Sequence, residues 1–259
     1  MSETDALLGN DRPKKSRLSQ LSKHLRSELD PTHGDLVLLF CYIITGLLDS
    51  SAVLIWGSFV SMQTGNTLYF GLGVVGTNDD RWIKSGVSIA GFCLGSLCFA
   101  TFHRVFPARR RWVLCASFLV QTLFVSIAAL IVTIHRPARD APLNWVVLAS
   151  VALVAFQSSG QAVTSRVLNF NGLTSVVLTS TYCDLFSHPD LLTRKVFGHA
   201  EEMRRLGAVL CLFLGVILGG LWAHSHVGMM GALWTAAILK LLIVGAWLIW
   251  KGKNEVDTQ

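Results

Sequence analysis

The chain has 259 residues, of which 52% are hydrophobic and only 15% charged. A soluble domain carries about 25% charged residues, and one soluble core cannot bury this much apolar surface, so soluble globular, disordered and fibrous classes are excluded. The formal net charge of +6 then belongs to the cytoplasmic loops of a multi-pass membrane protein rather than to nucleic-acid binding. The expected fold is an all-α polytopic membrane helix bundle.

Residues 1–35 form a polar tail with no apolar h-region, so no cleavable signal peptide is expected. Arg12, Lys14, Lys15, Arg17, Lys23 and Arg26 run without an intervening acid, and Leu18, Leu21, Leu25 and Leu29 follow helical spacing. This pattern fits either a basic amphipathic helix on the cytoplasmic leaflet or a solvated tail. Phosphorylation of Ser16 would weaken such an attachment. Glu3 followed by Leu7-Leu8 resembles an acidic dileucine sorting signal.

Within the transmembrane domain, residues 36–250, six runs reach the roughly 20 apolar residues that a bilayer crossing needs. They are Leu36–Trp56, Trp82–Phe102, Trp112–Ile134, Asn144–Thr164, Leu206–Ala223 and Met229–Trp250. Tryptophans 56, 82, 112, 145, 222 and 250 fall at their ends, where an aromatic belt meets the headgroups. Two shorter stretches rich in Gly, Ser and Thr, Phe59–Val75 and Gly172–Phe186, fit a crossing, a half-helix or a re-entrant hairpin. With six crossings, 17 of the 22 Lys and Arg lie on the side of both termini and four on the other. The positive-inside rule then puts the N-terminus and the tail 251–259 in the cytosol. Eight crossings would move the cluster Arg104, Arg109, Arg110 and Arg111 outside, which makes six the better count.

The two halves look alike. One apolar span leads to Gln63-Thr64-Gly65-Asn66-Thr67, and another leads to Thr179-Ser180-Thr181. The span after each carries paired glycines, Gly91 and Gly95 in one half and Gly215 and Gly219 in the other, a spacing that lets helix backbones approach closely. Three crossings per half would invert the second half relative to the first, the plan of many secondary transporters.

Polar residues at membrane depth are the candidate site. Asp49 lies inside the first span at a cost of about 2.5–3.5 kcal/mol if ionised and lipid-facing, so it is expected to face the interior. Lys240 lies deep in the last span, and an Asp49–Lys240 ion pair would neutralise both. Gln63, Thr64, Gly65, Asn66 and Thr67 are expected to break a helix at Gly65 and expose backbone groups to a solute or ion. Gln161, Thr179, Ser180, Thr181 and Asp184 are the second-half counterparts.

The six cysteines form no CxxC pair, and His103, His135, His224 and His226 fall at span ends. No metal site and no cofactor are expected. No hydrolase, P-loop or dinucleotide motif occurs, so no enzymatic reaction is expected.

Gly46-Leu-Leu-Asp49-Ser followed by Phe59-Val-Ser-Met-Gln-Thr64-Gly65-Asn66-Thr67, with Gly160-Gln161-Ala162 leading to Thr179-Ser180-Thr181, resembles the signatures of the YoaK-like family, DUF1275. The resemblance covers roughly residues 36–250, and Gly91–Gly95 resembles its glycine-rich span. Ser180 stands where bacterial members carry glycine, a form that resembles fungal members. The resemblance implies about six spans and no established activity. The expectation is a secondary transporter or permease for a small polar or ionic solute. The alternative is a scaffold or accessory subunit whose glycine faces bind a partner helix or a second copy of the chain.

Overall fold

A computed structural model of the chain describes residues 17–76, 79–137, 143–191, 193 and 198–253. Among these the protein is helical, with α1 (Arg17–Arg26), α2 (Gly34–Trp56), α3 (Gln63–Val74), α4 (Arg81–Val105), α5 (Arg111–His135), α6 (Trp145–Val167), α7 (Thr179–Phe186), α8 (Ala200–His224) and α9 (Met229–Ile249). Helices α2, α4, α5, α6, α8 and α9 are long and apolar enough to cross a bilayer. The protein is therefore a multi-pass membrane protein of six crossings, with both ends of the bundle on one face.

The two short segments are not crossings. At 1.5 Å per residue α3 is about 18 Å long and α7 about 12 Å, against a hydrocarbon core of about 30 Å. α2 ends in a left-handed cap at Gly57 (φ 77°), whose N–H reaches the carbonyls of Ala52 and Val53. The chain then doubles back alongside α2, because the amides of Val60 and Ser61 bond to Asp49, which lies about 10 Å inside the end of that helix. α3 climbs out again and packs along α4. In the second half α6 ends at Val167 and the chain re-enters so that the Ser175 carbonyl meets Gln161 and Thr45. α7 follows and packs against α8. Gly65, expected to break the helix, instead sits in the first turn of α3. The break lies just upstream, at 57–62, and Gly65 leaves room for the Phe59 ring, which an added Cβ would strike.

Three crossings per half invert the second half against the first. The packing obeys that symmetry. The most extensive interfaces are α2 with α8, α4 with α6, and α5 with α9; exchanging the halves turns the first into the second and the third into itself. The paired glycines make the first two contacts. A Cβ at Gly91 would lie 2.8 Å from the Ala152 carbonyl oxygen, and one at Gly95 would run into the Phe156 carbonyl and the Ser159 hydroxyl. Gly215 and Gly219 meet Ile43, Leu47 and Ser50 of α2 in the same way.

The face carrying the termini is fastened by the chain's own ends. Residues 27–30 lie between 109–111 and 251–253, with Leu29 N–H on Arg109 O (2.9 Å), Arg111 N–H on Ser27 O (3.1 Å) and Lys253 N–H on Glu28 O (3.0 Å). The buried Arg111 guanidinium donates to the Leu248 carbonyl at 2.6 Å and caps the last turn of α9. Asp30 starts the entry into α2; the Thr32 hydroxyl, then its amide, hold the Asp30 carboxyl below its ordinary range. α8 begins at Ala200, before the apolar run that starts at Leu206, because its charged first turns have partners. Arg204 pairs with Asp35 of α2 at 2.6 Å, and Arg205 bonds Glu202. The amphipathic tail is seen from α1 onward, packed on α5. Arg12, Lys14, Lys15, Ser16 and the dileucine-like stretch lie outside the described residues.

Gly219 and Gly220 are neighbours, yet a Cβ at Gly220 meets nothing within 4 Å. Gly219→Leu should lower stability by about 1–3 kcal/mol through overpacking, while Gly220→Leu should leave it unchanged. Thermal unfolding of the two variants in detergent checks the contrast.

Candidate functional site

Both re-entrant tips reach the middle of the bundle, and the same two helices hold both. On the first tip, Asp49 Oδ1 of α2 accepts from the amides of Val60 (2.8 Å) and Ser61 (2.9 Å), and its Oδ2 accepts from the Ser61 hydroxyl. Ser158 of α6 donates to the Val60 carbonyl at 3.1 Å. On the second tip, Thr45 of α2 donates to the Ser175 carbonyl at 2.5 Å, and Gln161 of α6 donates to it at 3.3 Å. Thr45 and Asp49 are one turn apart on α2, and Ser158 and Gln161 are nearly so on α6. Val60 and Ser175 are themselves repeat-related, 115 residues apart, as are Thr64 and Thr179. Ser175 is left-handed (φ 59°), a cost of about 1–2 kcal/mol for a residue with a Cβ, which its two carbonyl hydrogen bonds offset.

Around the second tip runs a buried polar chain. Lys240 Nζ of α9 donates to Gln121 Oε1 of α5 at 2.7 Å and to Gln161 Oε1 at 3.1 Å. Gln161 Nε2 donates to Thr45 Oγ1 at 2.6 Å. On the other side Gln121 Nε2 donates to Ser117 Oγ (3.4 Å), which lies 3.3 Å from His103 Nε2 of α4. Lys240 is wholly buried, with the Phe118 ring centroid 5.5 Å from its nitrogen. Among the described residues no carboxylate lies within ion-pair distance of it.

The expected Asp49–Lys240 pair is therefore replaced by two separate environments. Asp49 is saturated by three donors of the first tip, and Lys240 is held by two amide oxygens. The reason is register: the chain puts the N–H groups of a re-entrant tip nearer to Asp49 than α9 comes.

The other expected residues divide. Asn66 is buried and clasps Phe59 through both backbone groups, Oδ1 accepting at 3.0 Å and Nδ2 donating at 2.8 Å, and it also reaches Ser88. Gln63 is half-buried and bonds Val60 and Ser88. Thr64 and Thr67 are exposed, the latter bonded back to the Gln63 carbonyl. Of the expected residues in α7, Thr181 turns inward beside Leu185, while Thr179 and Ser180 are exposed. Asp184 is not at mid-membrane; it is half-exposed and lies 3.6 Å from Arg205 on the terminal face. His103 lies in the last turn of α4, at the span end where the sequence put it, and is buried against the bundle.

Thr45, Gln121, Gln157, Ser158 and Ser175 escaped the sequence reading. Uncharged, they do not lower hydropathy enough to stand out. The i,i+4 pairs Thr45–Asp49 and Gln157–Gln161 were the available signal, since each puts two polar groups on one helix face. Among the described residues no group of three or more His, Cys, Asp or Glu is placed to hold a metal ion.

Asp49 is thus a tether, and this is testable. Asp49→Leu orphans two amides and a hydroxyl at about 1–3 kcal/mol each, so it should abolish folded protein, whereas Asp49→Asn keeps an acceptor and should fold. Size-exclusion profiles of the two variants in detergent check this; equal behaviour would count against the tether.

No curated protein and no solved structure matches the chain. A family model described as "Protein of unknown function (DUF1275)" matches residues 37–246, from the first span into the last. The six-span protein, with both re-entrant tips inside that stretch, belongs to the DUF1275 family.

Proposed function

We propose that this protein is a secondary transporter or permease-like carrier that binds a small polar or ionic solute at mid-membrane, between its two re-entrant tips, and carries out no enzymatic reaction. The observation that supports this most is the double grip of α2 and α6. Each helix holds both tips with side chains about one turn apart. Any rocking of one inverted half against the other must remake the bonds that cross between them, Ser158 to Val60, Thr45 to Ser175 and Gln161 to Thr45. Such a rearrangement around a fixed site is what alternating access requires. Asp49 enters as the tether of the first tip. Gln161, Thr45, Gln121 and Lys240 are the groups that face a solute. The basic excess on the terminal face assigns that face to the cytosol, and α1 lies against the cytosolic leaflet. The YoaK-like affinity rests on Gly46-Leu-Leu-Asp49-Ser, on Phe59 to Thr67 and on Gly160-Gln161-Ala162 leading to Thr179-Ser180-Thr181, and the fungal affinity on Ser180 alone.

The scaffold alternative loses its main support. Gly91, Gly95, Gly215 and Gly219 are filled by this chain's own α6 and α2, so they offer no free face to a partner helix or a second copy.

The test is solute flux into proteoliposomes across a panel of small metabolites and ions. Wild-type protein should move at least one class of solute. Gln161→Met should reduce that flux at least about tenfold, the loss of one or two hydrogen bonds to a polar ligand, with an unchanged elution profile. A folded Gln161→Met variant with full flux would remove the mid-membrane site.

A further inference from the structure

We infer that the solute is a small anion, that Lys240 is its charge partner, and that it enters from the face opposite the termini through the cavity bounded by Trp56, Val132, Arg136, His226 and Met229. This rests on the transport reading above and gives it a substrate class.

The cavity is about 410 Å³ and opens between the ends of α2 and α5 and the start of α9. Arg136 and His226 line it, and no carboxylate does. The Trp56 indole N–H is buried without a partner. A basic rim with an unused buried donor suits an anion.

Below the cavity the geometry repeats on three helices. Trp56, Val132 and Met229, all buried, are among its lining. Thr45, Gln121 and Lys240 stand eleven residues from them along α2, α5 and α9 respectively. Eleven residues are about three helical turns, so each pair shares a helix face with a separation of about 16 Å. The cavity therefore stands over the Lys240 cluster along a single seam. Between the two levels the three helices contribute Ala52, Ala128 and Ala236 together with Leu48, Val125 and Leu233, all buried. Passage along the seam therefore requires the leucines and the valine to move aside.

At the bottom, charge and hydrogen bonding are both unfinished. An ammonium has three N–H donors. Lys240 places two on Gln121 and Gln161. Both amide atoms of Gln157, one turn from Gln161 on the same face of α6, are buried without a partner. The nearest buried carboxylate along α2, Asp49, is saturated by the first tip. A cation at mid-membrane with no carboxylate at ion-pair distance among the described residues, and an unpartnered amide one turn from its Gln161 partner, is completed by an anion that accepts from both. A cation or a large neutral solute would leave the ammonium uncompensated.

The experiment uses the full chain in proteoliposomes. The probes are sodium salts of chloride, nitrate, formate and acetate, with N-methylglucamine chloride, glycerol and urea beside them. At least one anion should move whichever cation accompanies it, and glycerol and urea should not. Lys240→Met should reduce that flux at least about tenfold, and Lys240→Arg should keep most of it. Arg136→Ala, at an exposed position, should raise half-saturation about threefold without changing the maximal rate, the signature of a lost steering charge. Flux confined to cations or neutral solutes, or anion flux indifferent to a folded Lys240→Met, overturns the anion assignment and leaves the transport reading standing. If Lys240→Met does not fold, Arg136→Ala decides, and an unchanged half-saturation overturns the proposal. Absence of flux for solutes of every charge brings down the transport reading itself, and this inference with it.

Discussion

Irregular backbone at membrane depth must have every N–H and C=O satisfied by protein, because no water is at hand to do so. That constraint shapes this molecule. The segments 57–62 and 168–178 leave helical geometry inside the bundle, and side chains of α2 and α6 take up the freed groups. Asp49 and Ser158 meet the amide and carbonyl of Val60, and Thr45 and Gln161 meet the carbonyl of Ser175. Because one pair of helices serves both tips, neither tip can shift without disturbing the other.

That shared grip needs α2 and α6 to be held firmly, and the glycine contacts do this. α8 lies on α2 at Gly215 and Gly219, and α4 lies on α6 at Gly91 and Gly95, with backbones near enough that no Cβ fits. In lipid, where apolar burial drives helices together hardly at all, such close van der Waals contact is a main source of cohesion. α4 and α8 accordingly turn much of their remaining surface outward. The same two helices flank the half-helices α3 and α7, so each half is a unit: an inner span, a tip, a half-helix and an outer span.

α5 and α9 complete the bundle and carry its unusual charge. Lys240 is placed by Gln121 across the α5–α9 interface and by Gln161 of α6, which ties the third span of each half to the second tip. The buried amides have a double role. They hold the ammonium where the apolar surroundings oppose it, and they link it to Thr45 and the Ser175 carbonyl. A disturbance at any member passes through hydrogen bonds, not through apolar contacts that slide.

The sequence by itself determined the class of the protein, its six spans and the two glycine pairs; that the tail is helical at 17–26 came from the structure. The class, the spans and the pairs follow from apolar run length, tryptophan placement and spacing along one helix, all of which are local. It also marked Asp49, Asn66, Gln161, Thr181 and Lys240 as buried polar positions, since a polar group inside an apolar run has to face protein. Pairing was beyond its reach. Which donor meets Asp49 depends on how far a tip re-enters, and which acceptors meet Lys240 depends on where α5 and α6 lie beside α9. The position of the helix break, at Gly57 and not Gly65, depended likewise on the Asp49 tether. Asp184 fell to the terminal face because the short α7 leads back there. Run length and periodicity are properties of one segment, but a partner at membrane depth is set by the register between segments, and only the tertiary structure decides that.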